Sequence, residues 1–307
     1  MSHASPWSFE PHVITWVLVA ATGIAYAVIV RRPSWVVSRT QLASFSGGLA
    51  VLFVALTWPL ADIAMHWSLT GLVCQRLLLV LAAPPLLVTG LPQPAIASFT
   101  RPLVVDSLLR ICRKPAIATA IVTVIAVATL STPAVDAQAS SLAVRAVCDG
   151  ALLFAGFVLW MPVLTRFPGP RPSSLGRAGY LVVQSIVPSF LAVVWIFARH
   201  PLYPVFARTP PIFGVSAVLD QQLAGFVAKL ATIGVLWSVA FVTLARAQRV
   251  TAVGGDPDPL LWSDVERELE RIERATRRTR TGGRRHGVDD SKLPDDDHGG
   301  GMDASGI

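Results

Sequence analysis

Charged residues are scarce in this chain. Asp, Glu, Lys and Arg make up 15% of its 307 residues, against about 25% in ordinary soluble domains. Acidic residues are scarcer still before Arg246, where only six occur: Glu10, Asp62, Asp106, Asp136, Asp149 and Asp220. Together with 53% hydrophobic residues and a mean hydropathy of +0.57, this excludes a soluble protein. It indicates a membrane domain of residues 1–245 followed by a charged tail.

Groups that carry catalysis are also missing. No candidate nucleophile is accompanied by a general base, and no glycine-rich phosphate loop is present. The six histidines do not line one face of any predicted helix. Three cysteines, Cys74, Cys112 and Cys148, allow at most one pair, which excludes a disulfide framework. The sequence therefore predicts a protein that is not an enzyme.

Long apolar segments are what the chain does contain. About 20 apolar residues are needed to cross the hydrocarbon core, and seven segments approach or reach this length. They are residues 12–30, 41–60, 71–91, 115–132, 143–164, 180–198 and 221–245. The first has no Lys or Arg before it, unlike a cleaved signal peptide, so we expect it to remain. The predicted fold class is an all-α polytopic membrane bundle of seven transmembrane helices.

Basic residues alternate between the loops and so predict the orientation. Lys and Arg close to helix ends favour the cytoplasmic side, and they follow helices one, three, five and seven. They are Arg31, Arg32 and Arg39; Arg101, Arg110, Arg113 and Lys114; Arg166, Arg171 and Arg177; and Arg246 and Arg249. The N-terminus is therefore predicted outside and the C-terminus in the cytoplasm. This topology explains the net charge of +7, so no nucleic-acid partner is predicted.

Polar residues cluster where helices three, five and seven begin, at the predicted outer face. The cluster comprises Gln75, Arg76, Arg145, Asp149, Asp220, Gln221, Gln222 and Lys229. Charged side chains inside a membrane usually mark a functional cavity and pair with one another. At a rise of 1.5 Å per residue, Arg76 and Asp149 lie at similar depths, about 8 to 9 Å below their helix starts.

Two pairings of Asp149 are open. It is placed to pair with Arg76 across two helices, or locally with Arg145 four residues earlier on the same helix. Asp220 and Lys229 are further candidate partners for these charges.

The chain resembles the CtaG-type cytochrome c oxidase assembly proteins, which are seven-helix bacterial membrane proteins associated with copper delivery. The runs that carry the resemblance are WPLADIAMHWSLTGLVCQRLLLVLAAPPLLVTGLP from Trp58, GFVLWMPVL from Gly156, PLYPVF from Pro201 and LDQQLAGF from Leu219. The resemblance covers about residues 50–245. It implies that oxidase subunits are partners and that copper is the associated metal.

This chain departs from the family at three places. The family pattern has two histidines on helix three and one on helix five, where this sequence has Leu72, Arg76 and Asp149. We therefore expect an ion pair to have replaced the histidine site. Soft Cu(I) prefers cysteine and methionine with some imidazole, so His66, Cys74 and Cys148 are the remaining candidate copper ligands.

Two functions are compatible with these features. The first is an accessory protein for cytochrome c oxidase assembly, linked to copper delivery, at the outer face of the bacterial plasma (inner) membrane. The alternative is a small-solute or ion transporter that uses Arg76, Asp149, Asp220 and Lys229. A transporter often shows internal repeats, and none is visible in this sequence.

The C-terminal region divides in two. Residues 246–281 are predicted to form a juxtamembrane linker and a short charged helix, because Ser263 and Glu266 have the spacing of a capping box. Residues 282–307 are rich in Gly, Asp and Arg without apolar periodicity, so we expect a disordered tail.

Overall fold

The computed structural model describes residues 11–32, 35–167 and 172–258, together with Trp7, Phe9 and Leu269. Every regular element in this part of the chain is helical, which confirms the predicted all-α class. The chain divides into a unit of residues 1–259 and a unit of residues 260–307. The helix predicted from Ser263 and the tail predicted for residues 282–307 lie outside the described residues.

Seven helices correspond to the seven predicted spans. They are α1 (Val13–Val30), α2 (Arg39–Leu56), α3 (Leu69–Gly90), α4 (Pro115–Leu130), α5 (Leu142–Trp160), α6 (Ser174–Phe197) and α7 (Ala217–Ala252). Six of them are long and apolar enough to cross a membrane unaided, and α4 is the exception. Residues Val104–Cys112 precede α4 at a bend of 88° and make a seventh span if the two pieces are counted together.

Helices α6 and α7 begin earlier than the hydropathy pattern predicted. The hydroxyl of Ser173 accepts a hydrogen bond from Gly176 N and starts α6, and Ser216 does the same for α7 through Leu219 N. Serine at the N-cap satisfies one of the amides that have no partner at a helix start. Helix α7 also continues to Ala252, seven residues beyond the predicted span.

Helix α3 is the central helix of the bundle. In its most apolar window 61% of the residues are buried, against 6% for α1, and it contributes to all three hydrophobic clusters. Its apolar side chains are therefore covered by other helices, whereas those of α1 face outward. A helix that is apolar all round is typical of the core of a membrane bundle.

The middle of α3 contains a π-helical turn, Leu78–Ala82, which ends two residues before the prolines Pro84 and Pro85. Because Pro84 and Pro85 have no N–H group, the carbonyl of Val80 has no donor four or five residues later. The indole Nε1 of Trp160 on α5 donates to this carbonyl at 3.1 Å. The proline pair is therefore tolerated because a neighbouring helix replaces the missing hydrogen bond.

Glycine allows α5 to approach this part of α3 closely. A Cβ added to Gly156 would lie 2.6 Å from Pro84 Cγ and 2.9 Å from the carbonyl oxygen of Leu79. Only a residue without a side chain fits at this crossing.

Candidate functional site

The starts of α3 and α7 are joined through Asp220. Its carboxylate accepts hydrogen bonds from the amide of Leu69 at 2.6 Å and from the hydroxyl of Ser68 at 2.7 Å. The hydroxyl of Thr70 donates to the backbone carbonyl of Asp220 at 2.8 Å. The first amides of a helix have no partner within it and carry partial positive charge. Asp220 therefore caps α3 with a full negative charge supplied by another helix.

The next two residues of α7 hold the segment that follows α6. Gln221 is buried, and its Oε1 accepts a hydrogen bond from the amide of Leu202 at 2.8 Å. Gln222 Nε2 donates to the carbonyl of Ala198 at 3.4 Å. The Asp-Gln-Gln run thus fixes two different segments against the start of α7.

Arg76 is buried and points toward the end of α4. Its Nη1 donates to Thr129 Oγ1 at 2.7 Å, and its Nη2 donates to the Thr129 carbonyl at 3.0 Å and to Gln138 Oε1 at 3.1 Å. The Thr129 carbonyl is one of the last four carbonyls of α4, and these carbonyls receive no hydrogen bond from within the helix. A guanidinium at a helix C-terminus also interacts favourably with the helix dipole. Arg76 therefore caps α4.

Asp149 pairs within its own helix. Its Oδ2 lies 3.9 Å from Nε of Arg145, and Arg145 Nη2 donates to the carbonyl of Ala61 at 2.8 Å. No ion pair joins Asp149 to Arg76, whose polar partners among the described residues are Thr129 and Gln138. The pairing of Arg76 with Asp149 was therefore wrong and the local alternative is confirmed. Side chains four residues apart on a helix are neighbours in any packing arrangement.

Two other residues of the predicted cluster have different settings. Gln75 is buried, and its Nε2 has no hydrogen-bond partner among the described residues. Lys229 is half-buried within α7 and makes no hydrogen bond or ion pair with the described part of the chain. The structure therefore distributes six of the eight predicted polar residues over separate contacts, and Gln75 and Lys229 make none with the described residues.

Some polar contacts at this end were not predicted. His12 Nε2 lies 3.0 Å from Asp62 Oδ1 and connects the start of α1 to the segment before α3. Thr129 and Gln138, the partners of Arg76, were missed because a neutral acceptor leaves no charge pattern in a sequence. The only available signal was the requirement that a buried guanidinium be satisfied.

The candidate copper ligands do not form a metal site in the described residues. His66 lies in a π-helical turn, Ile63–Trp67, and Cys74 and Cys148 are half-buried free thiols on α3 and α5. No group of three or more His, Cys, Asp and Glu side chains is placed to hold a metal ion in the described part. The described residues therefore do not fit a resident copper ion.

The opposite end of the bundle has a second aspartate cap. Asp258 accepts hydrogen bonds from the amide and the hydroxyl of Ser174, both at 2.7 Å, and pairs with Arg177 at 3.1 Å. Burial alone would raise the pKa of this carboxyl, but the hydrogen bonds from Ser174 and the charge of Arg177 outweigh burial and lower it. The residues after α7 are thereby attached to the start of α6.

Comparison with known proteins adds one match. The sequence model of the family described as cytochrome c oxidase caa3 assembly factor (Caa3_CtaG) matches residues 24–249. This range runs from α1 to nearly the end of α7 and includes the Asp-Gln-Gln run. No curated protein and no solved structure matches the chain.

Proposed function

The chain belongs to the cytochrome c oxidase caa3 assembly factor family, and we propose that it acts without catalysis at the outer face of a bacterial inner membrane. The description of the family assigns it to the assembly of cytochrome c oxidase. The membrane face and the contact with oxidase subunits are our inference from topology and from the distribution of polar groups.

The observation that carries the proposal is the hydrogen-bonded end formed by Asp220, Gln221 and Gln222. These three residues join the starts of α3 and α7 to the segment after α6. Loops are otherwise mobile parts of a protein, and a surface that recognises a partner benefits from being held in one shape. The positive-inside distribution of Lys and Arg predicts that this end is outside.

We propose that the connection to copper runs through the oxidase subunit that receives the metal. At the family's three histidine positions this chain has the apolar Leu72, the cationic Arg76, which repels a metal cation, and Asp149, which is paired with Arg145. The guanidinium is held there by Thr129 and Gln138. This supports a role in holding or shaping the oxidase subunit while copper enters it.

The transporter alternative has less support. A transport pathway needs polar groups that succeed one another across the membrane. Asp220 is occupied by backbone and hydroxyl donors, Asp149 by Arg145, and Arg76 by the end of α4. These contacts are structural caps and a local pair.

Deleting the gene tests the proposal. We expect the absorbance of assembled cytochrome c oxidase per membrane protein to fall, together with the copper content of the purified oxidase. Wild-type protein should restore both, and Asp220→Ala should restore less at equal protein level. Asp106→Ala is the matched control, because Asp106 makes a local pair with Arg110 between α3 and α4. Normal oxidase in the deletion strain would contradict the proposal.

A further inference from the structure

A cavity of about 130 Å³ lies inside the helix bundle between α3, α4, α5, α6 and α7. Its lining is mainly aliphatic and includes Leu77, Leu191 and Leu236. An engineered apolar cavity of about 150 Å³ in another protein stays dry and binds benzene. The cavity in this chain is therefore large enough for a segment of about six carbon atoms.

The cavity is accessible from the lipid side of α4. Val127 belongs to the lining and is also 56% exposed on the outer surface of the bundle. Val124, one turn earlier, is 65% exposed. In a membrane these side chains contact lipid hydrocarbon. A ligand with an alkyl chain can therefore enter at Val127 without passing through water.

Two polar groups of the lining have no partner. Gln184 on α6 is 1% exposed and makes no hydrogen bond with any described residue. The hydroxyl of Thr123 on α4 is buried and has none either. Buried polar groups are nearly always hydrogen-bonded, and an unsatisfied one costs about 1–3 kcal/mol. Both groups line the cavity, so they point to a ligand with a polar atom.

Arg76 supplies the charge of the cavity lining. Its two Nη atoms bind neutral acceptors, its Nε has no partner, and no described carboxylate lies within ion-pair distance of it. A buried cation in a membrane pairs with other charged groups or with backbone carbonyls. Here Asp149 on α5 acts on Arg76 from beyond ion-pair distance, and the Nε–H group of Arg76 has no acceptor. This N–H group is therefore available to an anionic ligand in the cavity.

We propose that this cavity binds the carboxylate end of a fatty acid. The carboxylate accepts hydrogen bonds from Nε of Arg76, from the hydroxyl of Thr123 and from the amide nitrogen Nε2 of Gln184, and the first carbons of the chain fill the aliphatic part. The rest of the chain leaves past Val127 into the bilayer. This site is separate from the outer end used in oxidase assembly and does not depend on that function.

Quenching of Trp195 fluorescence tests the site, because Trp195 lines the cavity. The probe is stearate brominated at carbons six and seven, titrated into the full-length protein in lipid nanodiscs. We expect saturable quenching with one probe per protein, and loss of the saturable part in Trp195→Phe. The methyl ester of the same probe has no negative charge and should bind at least tenfold more weakly. Equal binding of acid and ester would overturn the proposal.

A pair of variants on α4 locates the bound chain. Ala126 lines the cavity, whereas Ala128 is exposed on the outer surface of the same helix. Ala126→Phe should reduce affinity for the brominated stearate at least tenfold, and Ala128→Phe should leave it unchanged. Arg76→Gln should weaken the acid and leave the ester unaffected. Equal effects of the two phenylalanine variants, or no saturable quenching in the wild type, would contradict the proposed site.

Discussion

The carboxylate oxygen Oδ2 of Asp220 and the backbone amide of Leu69 lie 2.6 Å apart, although 151 positions separate the two residues in the sequence. The contact places the first turn of α7 against the first turn of α3, the central helix of the bundle. Removing Asp220 would leave the amides of Leu69 and Thr70 without an acceptor at the point where three segments meet. The cap thus connects the stability of the core to the shape of the end where α3 and α7 begin.

Asp220→Ala should lower the free energy of unfolding by about 1 to 2 kcal/mol, as loss of an N-cap does. Asp220→Asn should cost less, because the amide oxygen still accepts one hydrogen bond. Thermal unfolding in detergent measures both. Asp106→Ala serves as the control and should change little, since a pair four residues apart on one helix contributes about 0.3–0.5 kcal/mol. Equal losses for Ala at positions 220 and 106 would argue against the cap.

Arg76 and Gln138 should be energetically coupled, because their side chains are in direct contact at 3.1 Å. In a double-mutant cycle with Arg76→Leu and Gln138→Leu, we expect a coupling energy of about 0.5–3 kcal/mol. The matched cycle with Asp149→Leu in place of Gln138→Leu should give a smaller coupling energy, because Arg76 and Asp149 interact only from beyond ion-pair distance. Thermal unfolding of the single and double variants gives both values. A larger coupling to Asp149 would mean that Arg76 pairs across α3 and α5 after all.

Gly156→Ala should destabilise the protein by about 1–3 kcal/mol, the usual cost of overpacking. The new methyl group would lie 2.9 Å from the Leu79 carbonyl and even closer to Pro84. Gly150→Ala on the same helix has no neighbouring atom within 4 Å of its Cβ and should be neutral or slightly stabilising. The unfolding temperatures of the two variants test this prediction. If both variants unfolded at the same temperature, the crossing of α3 and α5 would be looser than described.

Reporter fusions should place alternate loops on opposite sides of the membrane. We expect fusions after Arg166 and after Gly254 to report the cytoplasm, and fusions after Ser140 and after Thr209 to report the outer side. The reason is the excess of Lys and Arg after α1, α3, α5 and α7. Enzymatic reporters that are active on one side only give the readout. An outside signal after Arg166 would reverse the assigned orientation.

The spans could be predicted because apolar runs of membrane length carry their own signal, as in Leu69–Gly90. The ends of α6 and α7 could not, because the caps Ser173 and Ser216 lie in polar or mixed sequence that hydropathy excludes. At the candidate site, the residues were found but their partners were not. The Arg145 to Asp149 pair follows from helix spacing alone. Arg76 instead meets Thr129, and Asp220 meets Leu69, through backbone groups that every residue possesses.

Photo-crosslinking to the oxidase tests most directly whether the outer end contacts it. A benzophenone amino acid replaces Leu142 at the start of α5, or Leu175 at the start of α6, which are exposed at 66% and 73%. Both positions are the first or second residue of a helix, and the predicted topology has Leu142 outside and Leu175 in the cytoplasm. Cells that assemble oxidase are irradiated, and crosslinked products are identified by mass spectrometry. The account predicts an oxidase subunit crosslinked from position 142 and none from position 175, and the reverse pattern would contradict it.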